Sequence, residues 1–166
     1  MRVVFDTNIF ISALVIPGSQ AEKAVVRIIE GKDVLLLSKG ILDELLTVLS
    51  TKFSRDKEEI SRVAVFLSET AERVEPAQKI KVLTDEPGRQ VPRKPPLLKR
   101  GQEVQYGEIT FPGSRRPAGA ELHNRILECA VSGNADAIVT GDKGLLRLRG
   151  YERIKIISLK EYLGEQ

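Results

Sequence analysis

The stretch RVVFDTNIFISAL, residues 2–14, decides how the rest of the chain is read. RVVF is a short apolar run with two β-branched side chains, and it stops at Asp6-Thr7-Asn8. Side chains of that kind accept hydrogen bonds from the free N–H groups of a helix start, so Thr7 or Asn8 is expected to cap a helix over IFISALV. A strand turning directly into a helix is the opening of an α/β repeat. Residues 20–31 read as a second helix closed by Gly31, and DVLLLS (33–38) as a second buried strand. Ser38 can cap KGILDELLTVLSTKF, in which Leu42, Leu45, Leu46 and Leu49 fall on one helical face. Residues 55–72 continue as helix, and RVEPAQKIKVL holds a short extended piece. Further on, LHNRILECAVSG is a helix ending at Gly133, AIVT (137–140) a strand and KGLLRL a short helix. IKIIS (154–158) is a last strand that leads into KEYL. This alternation predicts an α/β fold with a parallel sheet covered on both faces.

One stretch breaks the pattern. VPRKPPLLKRG (91–101) has three prolines and four basic side chains in eleven positions, and six of the eight prolines fall between 87 and 117. Proline removes a backbone donor and fixes φ, so neither a helix nor a central strand runs through here. Only EVQYGEITF (103–111) reads as a short strand or hairpin. Residues 88–122 hold seven Lys or Arg against three Glu, whereas the rest of the chain has nineteen basic and twenty acidic side chains. The net charge of +3 therefore describes this stretch and not the folded body. A loop of this length is unusual within a compact domain, where connections run to about 4–6 residues. Residues 88–122 are read as a Pro/Gly-rich, basic inserted surface loop within a single domain spanning 1–166.

Composition removes several classes of function. At 166 residues, 42% hydrophobic and 30% charged, the chain is long enough for one sizeable core. Cys129 is the single cysteine, so no internal disulfide framework exists, and its apolar setting in RILECAV marks a buried hydrophobe. No apolar run approaches a membrane span, and MRVVFDTN lacks the shape of a signal peptide, so a cytoplasmic protein without membrane attachment is the expectation. His123 is the only histidine, which leaves no Ser/His/Asp set, and there is neither a CxxC pair nor a phosphate-cradling glycine loop.

What remains is acidic. In open α/β sheets, sites form outside the carboxyl ends of the strands. VVFD ends in Asp6 and AIVTGD in Asp142, so a parallel sheet brings both carboxylates to one rim. Two carboxylates there repel unless a cation lies between them, and hard oxygen ligands suit Mg2+ or Mn2+. Each alone reads more readily as the cap of the helix that follows, and it is the pair that favours a cation. Asp136 precedes its strand and belongs to the opposite rim.

FDTNIFISAL, LSKGILDELLTVL and NRILECAVSGNADAIVTGDKGLL together resemble PIN-domain proteins of the VapC-like toxin type. The resemblance covers nearly all of the chain outside 88–122. It implies a three-layer α/β/α sandwich around a parallel sheet of about five strands and a divalent-metal-dependent endoribonuclease. It also implies RNA as substrate, a homodimer and a cognate antitoxin. The family's acidic site maps to Asp6, Glu44 and Asp142, with Asn8, Thr140 and Asn124 at supporting positions. On a helical wheel centred on the leucine stripe, Glu44 falls roughly opposite, so it is carried by resemblance alone. The family places an Asp immediately before the residue matching Asn124, and here that position is His123. The 88–122 insertion breaks the motif at that point. Asp85, Glu86, Glu121 or His123 are the candidates to replace the missing carboxylate, His123 favouring Mn2+ over Mg2+. The alternative is a catalytically inactive PIN-fold protein that binds RNA or an antitoxin partner.

Overall fold

The computed structural model describes residues 1–53, 56–81 and 118–164, with 118–122 as backbone only. Residues 82–117 lie outside this description, and with them most of the inserted stretch, its EVQYGEITF hairpin, Asp85 and Glu86; the Glu121 side chain lies outside it as well.

The described elements run β1 (Arg2–Phe5), α1 (Thr7–Val15), α2 (Gln20–Ile29), β2 (Val34–Ser38), α3 (Lys39–Lys52), α4 (Lys57–Thr70), β3 (Glu72–Val74), α5 (Ala118–Ser132), β4 (Ala137–Val139), α6 (Lys143–Leu148), β5 (Gly150–Tyr151), β6 (Ile154–Ile157) and α7 (Leu159–Leu163). The apolar runs read from sequence as strands are strands. They form one sheet in the order β3-β2-β1-β4-β6-β5. Five strands are parallel, as expected. The two-residue β5 adds an antiparallel edge, pairing Gly150 with Lys155 and Tyr151 with Ile154, so the sheet as a whole is mixed.

β1 is central. Val3 sits opposite Leu35 on one side and opposite Ala137 on the other, joining the two halves of the sequence across 88–122. Helices cover the sheet because its strands are apolar on both sides: Val3, Val4, Phe5, Leu36 and Ile138 are all essentially inaccessible. α5 packs on β1, β2 and β4 through Ile126, Leu127 and Ala130. Gly133, just past its end, sits so close to the sheet that a Cβ there would meet Leu36 Cδ1 at 2.8 Å and Val74 Cγ2 at 2.9 Å.

Three expectations need correction. The cap of α1 is Asp6 itself, whose side chain accepts from the Asn8 N–H, because the helix begins at Thr7, one residue earlier than Thr7 or Asn8 as caps allow. α5 starts at Ala118, inside the stretch read as loop, since AGAEL is rich in good helix formers and only the prolines before it forbid a helix. The buried stripe of α3 is Ile41, Leu45 and Leu49, with Leu42 and Leu46 only half-buried, so the leucine-centred wheel was rotated away from the true one. Ser38 does cap α3, accepting from the Ile41 N–H at 3.4 Å.

Candidate functional site

The carboxyl rim of the sheet gathers the ends of β1 and β4. Asp6 follows β1 directly, and its N–H donates to Val139 O at 3.0 Å, extending the β1–β4 ladder by one residue. This holds the carboxylate at the rim with no exposed surface at all. Oδ1 accepts from the Asn8 N–H at 3.2 Å, and Oδ2 accepts from Thr140 Oγ1 at 2.6 Å. Thr140, equally buried, also accepts from the Asp142 N–H at 2.9 Å. Because that N–H needs an acceptor, the hydroxyl proton of Thr140 is committed to Asp6. A continuous path of hydrogen bonds thus runs Asp6–Thr140–Asp142 across two parallel strands.

Asp142 is half-buried and caps α6, with Oδ1 accepting from the Leu145 N–H at 2.9 Å. The same oxygen lies 3.5 Å from His123 Nε2, which comes from α5. Gly144 makes room for it: a Cβ at that position would stand 2.9 Å from Asp142 Oδ1. Asn124 is half-buried beside His123, and Asn8 is exposed at the start of α1. Glu44 is half-buried on α3. Measured from the true Ile41–Leu45–Leu49 stripe it lies about 100° round the helix, on the flank of the buried face and not opposite it.

Two residues of the rim escaped the sequence reading. Gly144 has its signal in the spacing Asp142-Lys143-Gly144. Thr7 is 2% exposed, and its Oγ1 has no hydrogen-bond partner among the described residues. Its signal was present in Asp6-Thr7-Asn8, where the threonine was read only as a cap. Such an orphaned hydroxyl is uncommon in folded proteins and asks for an explanation at the site it occupies.

The opposite rim is built differently. Asp33 is 6% exposed and receives the Met1 amine at 2.8 Å, Arg27 Nε at 3.1 Å and the Tyr162 hydroxyl at 2.7 Å. Burial pushes the Asp33 carboxyl up, but those hydrogen bonds outweigh it and hold the group below the usual carboxylate range. Burial, together with Asp33, raises the Tyr162 hydroxyl. Arg27 completes the cluster 5.2 Å above the Tyr162 ring. Asp136, assigned to this rim from sequence, is found there accepting from the Arg2 N–H at 2.6 Å. Both oxygens of Asp33 are matched by donors, which marks a structural cluster. Cys129 is fully buried, and burial pushes its thiol up to about 11, so it packs as a hydrophobe.

In open α/β sheets, ligands bind outside the carboxyl ends of the strands, which is where Asp6 and Asp142 stand. A family profile for the PIN domain matches residues 2–87, just over half of the sequence and ending where the proline-rich stretch begins, and the chain belongs to that family. PIN domains are generally nucleases, typically using divalent metal ions. No curated protein matches the chain.

The residues present fit such an ion in donor chemistry. Asp6 and Asp142 offer hard oxygen, and each has one oxygen fixed by a backbone N–H. Among the described residues, no three or more His, Cys, Asp or Glu side chains converge on one point. Mg2+ is commonly held by only one or two carboxylates, with waters completing its shell.

Proposed function

We propose that the protein is a divalent-metal-dependent endoribonuclease, acting at the rim formed by β1 and β4, and the toxin of a toxin–antitoxin pair. The observation that carries this reading is the Asp6–Thr140–Asp142 path within a fold whose family members are nucleases. Asp6 and Asp142 hold Mg2+ or Mn2+, and Glu44 joins them on the strength of the resemblance. When bound, an ion of this kind supplies an activated water and cancels charge on the phosphate. Thr140 fixes the orientation of Asp6, and the Asn8 and Leu145 N–H groups keep one oxygen of each carboxylate in place. Lys143, Arg147 and Arg149, exposed on and just after α6, neutralise RNA phosphates beside the site.

The test is cleavage of a mixed RNA pool with Mg2+ and with Mn2+, with Asp6→Asn prepared in parallel. Ion-dependent cleavage that disappears in the variant is the expected result. Cleavage indistinguishable from the Asp6→Asn background would leave a second reading, that of a PIN-fold protein which binds without cutting. Either reading includes a protein partner. An apolar groove between α1, α2 and α4 leaves Leu14, Val26, Ile29 and Phe66 exposed, a face suited to burial against an antitoxin segment or a second copy of the chain.

A further inference from the structure

The folded body is unevenly charged. Lys143, Arg147, Arg149, Arg153 and Lys155 stand within thirteen residues against the single acid Glu152. The rest of the chain outside 88–122 has fourteen basic and nineteen acidic side chains. Those thirteen residues belong to one unit, α6 followed by β5 and β6 paired as a hairpin at the outer edge of the sheet. All five cations are exposed. None has an acidic partner among the described residues, whereas Arg2, Arg27, Lys32, Lys39 and Arg62 all do.

The five are spread along that edge in order. α6 is capped by Asp142 at the carboxyl rim, so Lys143 stands beside the acidic site, and Arg147 follows one turn on along the same helix face. Arg149 closes α6 at φ +57°, a left-handed position usually given to Gly or Asn. Arg153 lies in the turn before β6, at the far end of the sheet. Lys155 has Gly150 opposite it on β5 and Ala137 on β4, neither long enough to cover it. A protein partner would need an apolar centre to its interface. No large hydrophobic side chain described as exposed lies between 143 and 155; Leu145 and Ile154 are buried. A surface of exposed cations without apolar contacts suits a phosphate backbone.

We propose that the α6–β5–β6 edge is an extended binding surface for the RNA backbone, carrying the strand from the acidic rim to the opposite end of the sheet. The inference rests on RNA being what the chain acts on, but not on cleavage, and it extends the α6 contacts to Arg153 and Lys155.

The test is fluorescence anisotropy of a labelled single-stranded oligouridylate with the full-length protein in EDTA, repeated over a range of salt. Each cation in contact with a single strand adds about 0.7 to the slope of log K against log salt. Lys143→Gln/Arg147→Gln and Arg153→Gln/Lys155→Gln should therefore each lower that slope by about 1.4. Between about 0.05 and 0.2 M salt, the parent should lose roughly sevenfold more affinity than either variant. The exposed pair Lys52→Gln/Lys57→Gln should leave the slope unchanged. Comparing slopes cancels whatever the cations of 88–122 contribute. In the unaltered chain, RNA should protect Lys155 from acetylation, a reading that needs no variant. A slope lost only at Lys143 and Arg147, with Lys155 unprotected, would overturn the extended surface and leave the contact beside the rim. No binding in EDTA, or equal losses in the Lys52/Lys57 control, would overturn it too. Self-association abolished by Arg153→Gln/Lys155→Gln, with RNA binding unchanged, would make the edge a protein contact and overturn it as well. Slope losses as expected in a protein that never cleaves would support this surface while refuting the endoribonuclease reading.

Discussion

At the scale of single residues, Thr140 holds the site together. Its hydroxyl is committed in both directions, so Thr140→Val removes the donor to Asp6 and the acceptor for Asp142 without changing shape. A buried carboxylate oxygen is left unsatisfied, and the expected loss is about 1–3 kcal/mol in urea unfolding. Thr140→Ser should recover most of it; a valine variant as stable as the parent would show that the hydroxyl carries nothing. That Asp6 and Asp142 reach the same rim was legible from their place after strands; that His123 stands 3.5 Å from Asp142 was not. Glu44 was not legible in orientation. Ile41, Leu42, Leu45, Leu46, Val48 and Leu49 crowd α3 with apolar side chains, and nothing in the sequence says which of them points inward. Thr7 and Gly144 were missed for a different reason: one matters for a partner it lacks among the described residues and the other for an atom it lacks.

At the scale of elements, the strands were legible where apolar runs were long enough to be buried on both faces. β5 was invisible because it is two residues long, and its turn uses Glu152 at φ +53° where hairpins usually advertise Asn or Gly. The tie between α2, β2 and α7 was invisible too, since sequence spacing cannot show that Arg27, Asp33 and Tyr162 meet. This tie sets a pH dependence with a definite sign. The Asp33 carboxyl lies lower in the folded chain than in the unfolded one, where it titrates near about 3.9. The unfolded state therefore takes up protons first, and the stabilisation is full above that value and lost as pH falls through the folded value. Asp33→Asn should lower stability at pH 7 by about 2 kcal/mol, less than a fully buried pair because Arg27 and the Met1 amine are partly solvated. It should also flatten the fall in urea midpoint as pH drops below about 4. Parallel acid limbs for the two proteins would refute the assignment.

At the scale of the whole molecule, one sheet is assembled from both sides of the proline-rich stretch, with β1 paired to β2 on one flank and to β4 on the other. The fold class was legible from strand–helix alternation, but this strand order was not, because alternation does not say which strand is central. Removing residues 88–117 shortens the connection between Lys81 and Ala118 roughly sixfold, which lowers its closure cost by about 1.5 kcal/mol. A deletion variant should be more stable by about that amount in urea unfolding. A variant that is less stable would mean that the segment packs on the body. The central position of β1 has a further consequence, for a chain still on the ribosome. Val3 waits for Ala137, and the Asp6 carboxylate for the Thr140 hydroxyl 134 residues away. At about 5–20 residues per second, that interval is on the order of ten seconds. Throughout it, the flank of the first strand that will meet β4 is an exposed apolar edge and the acidic rim is only half built.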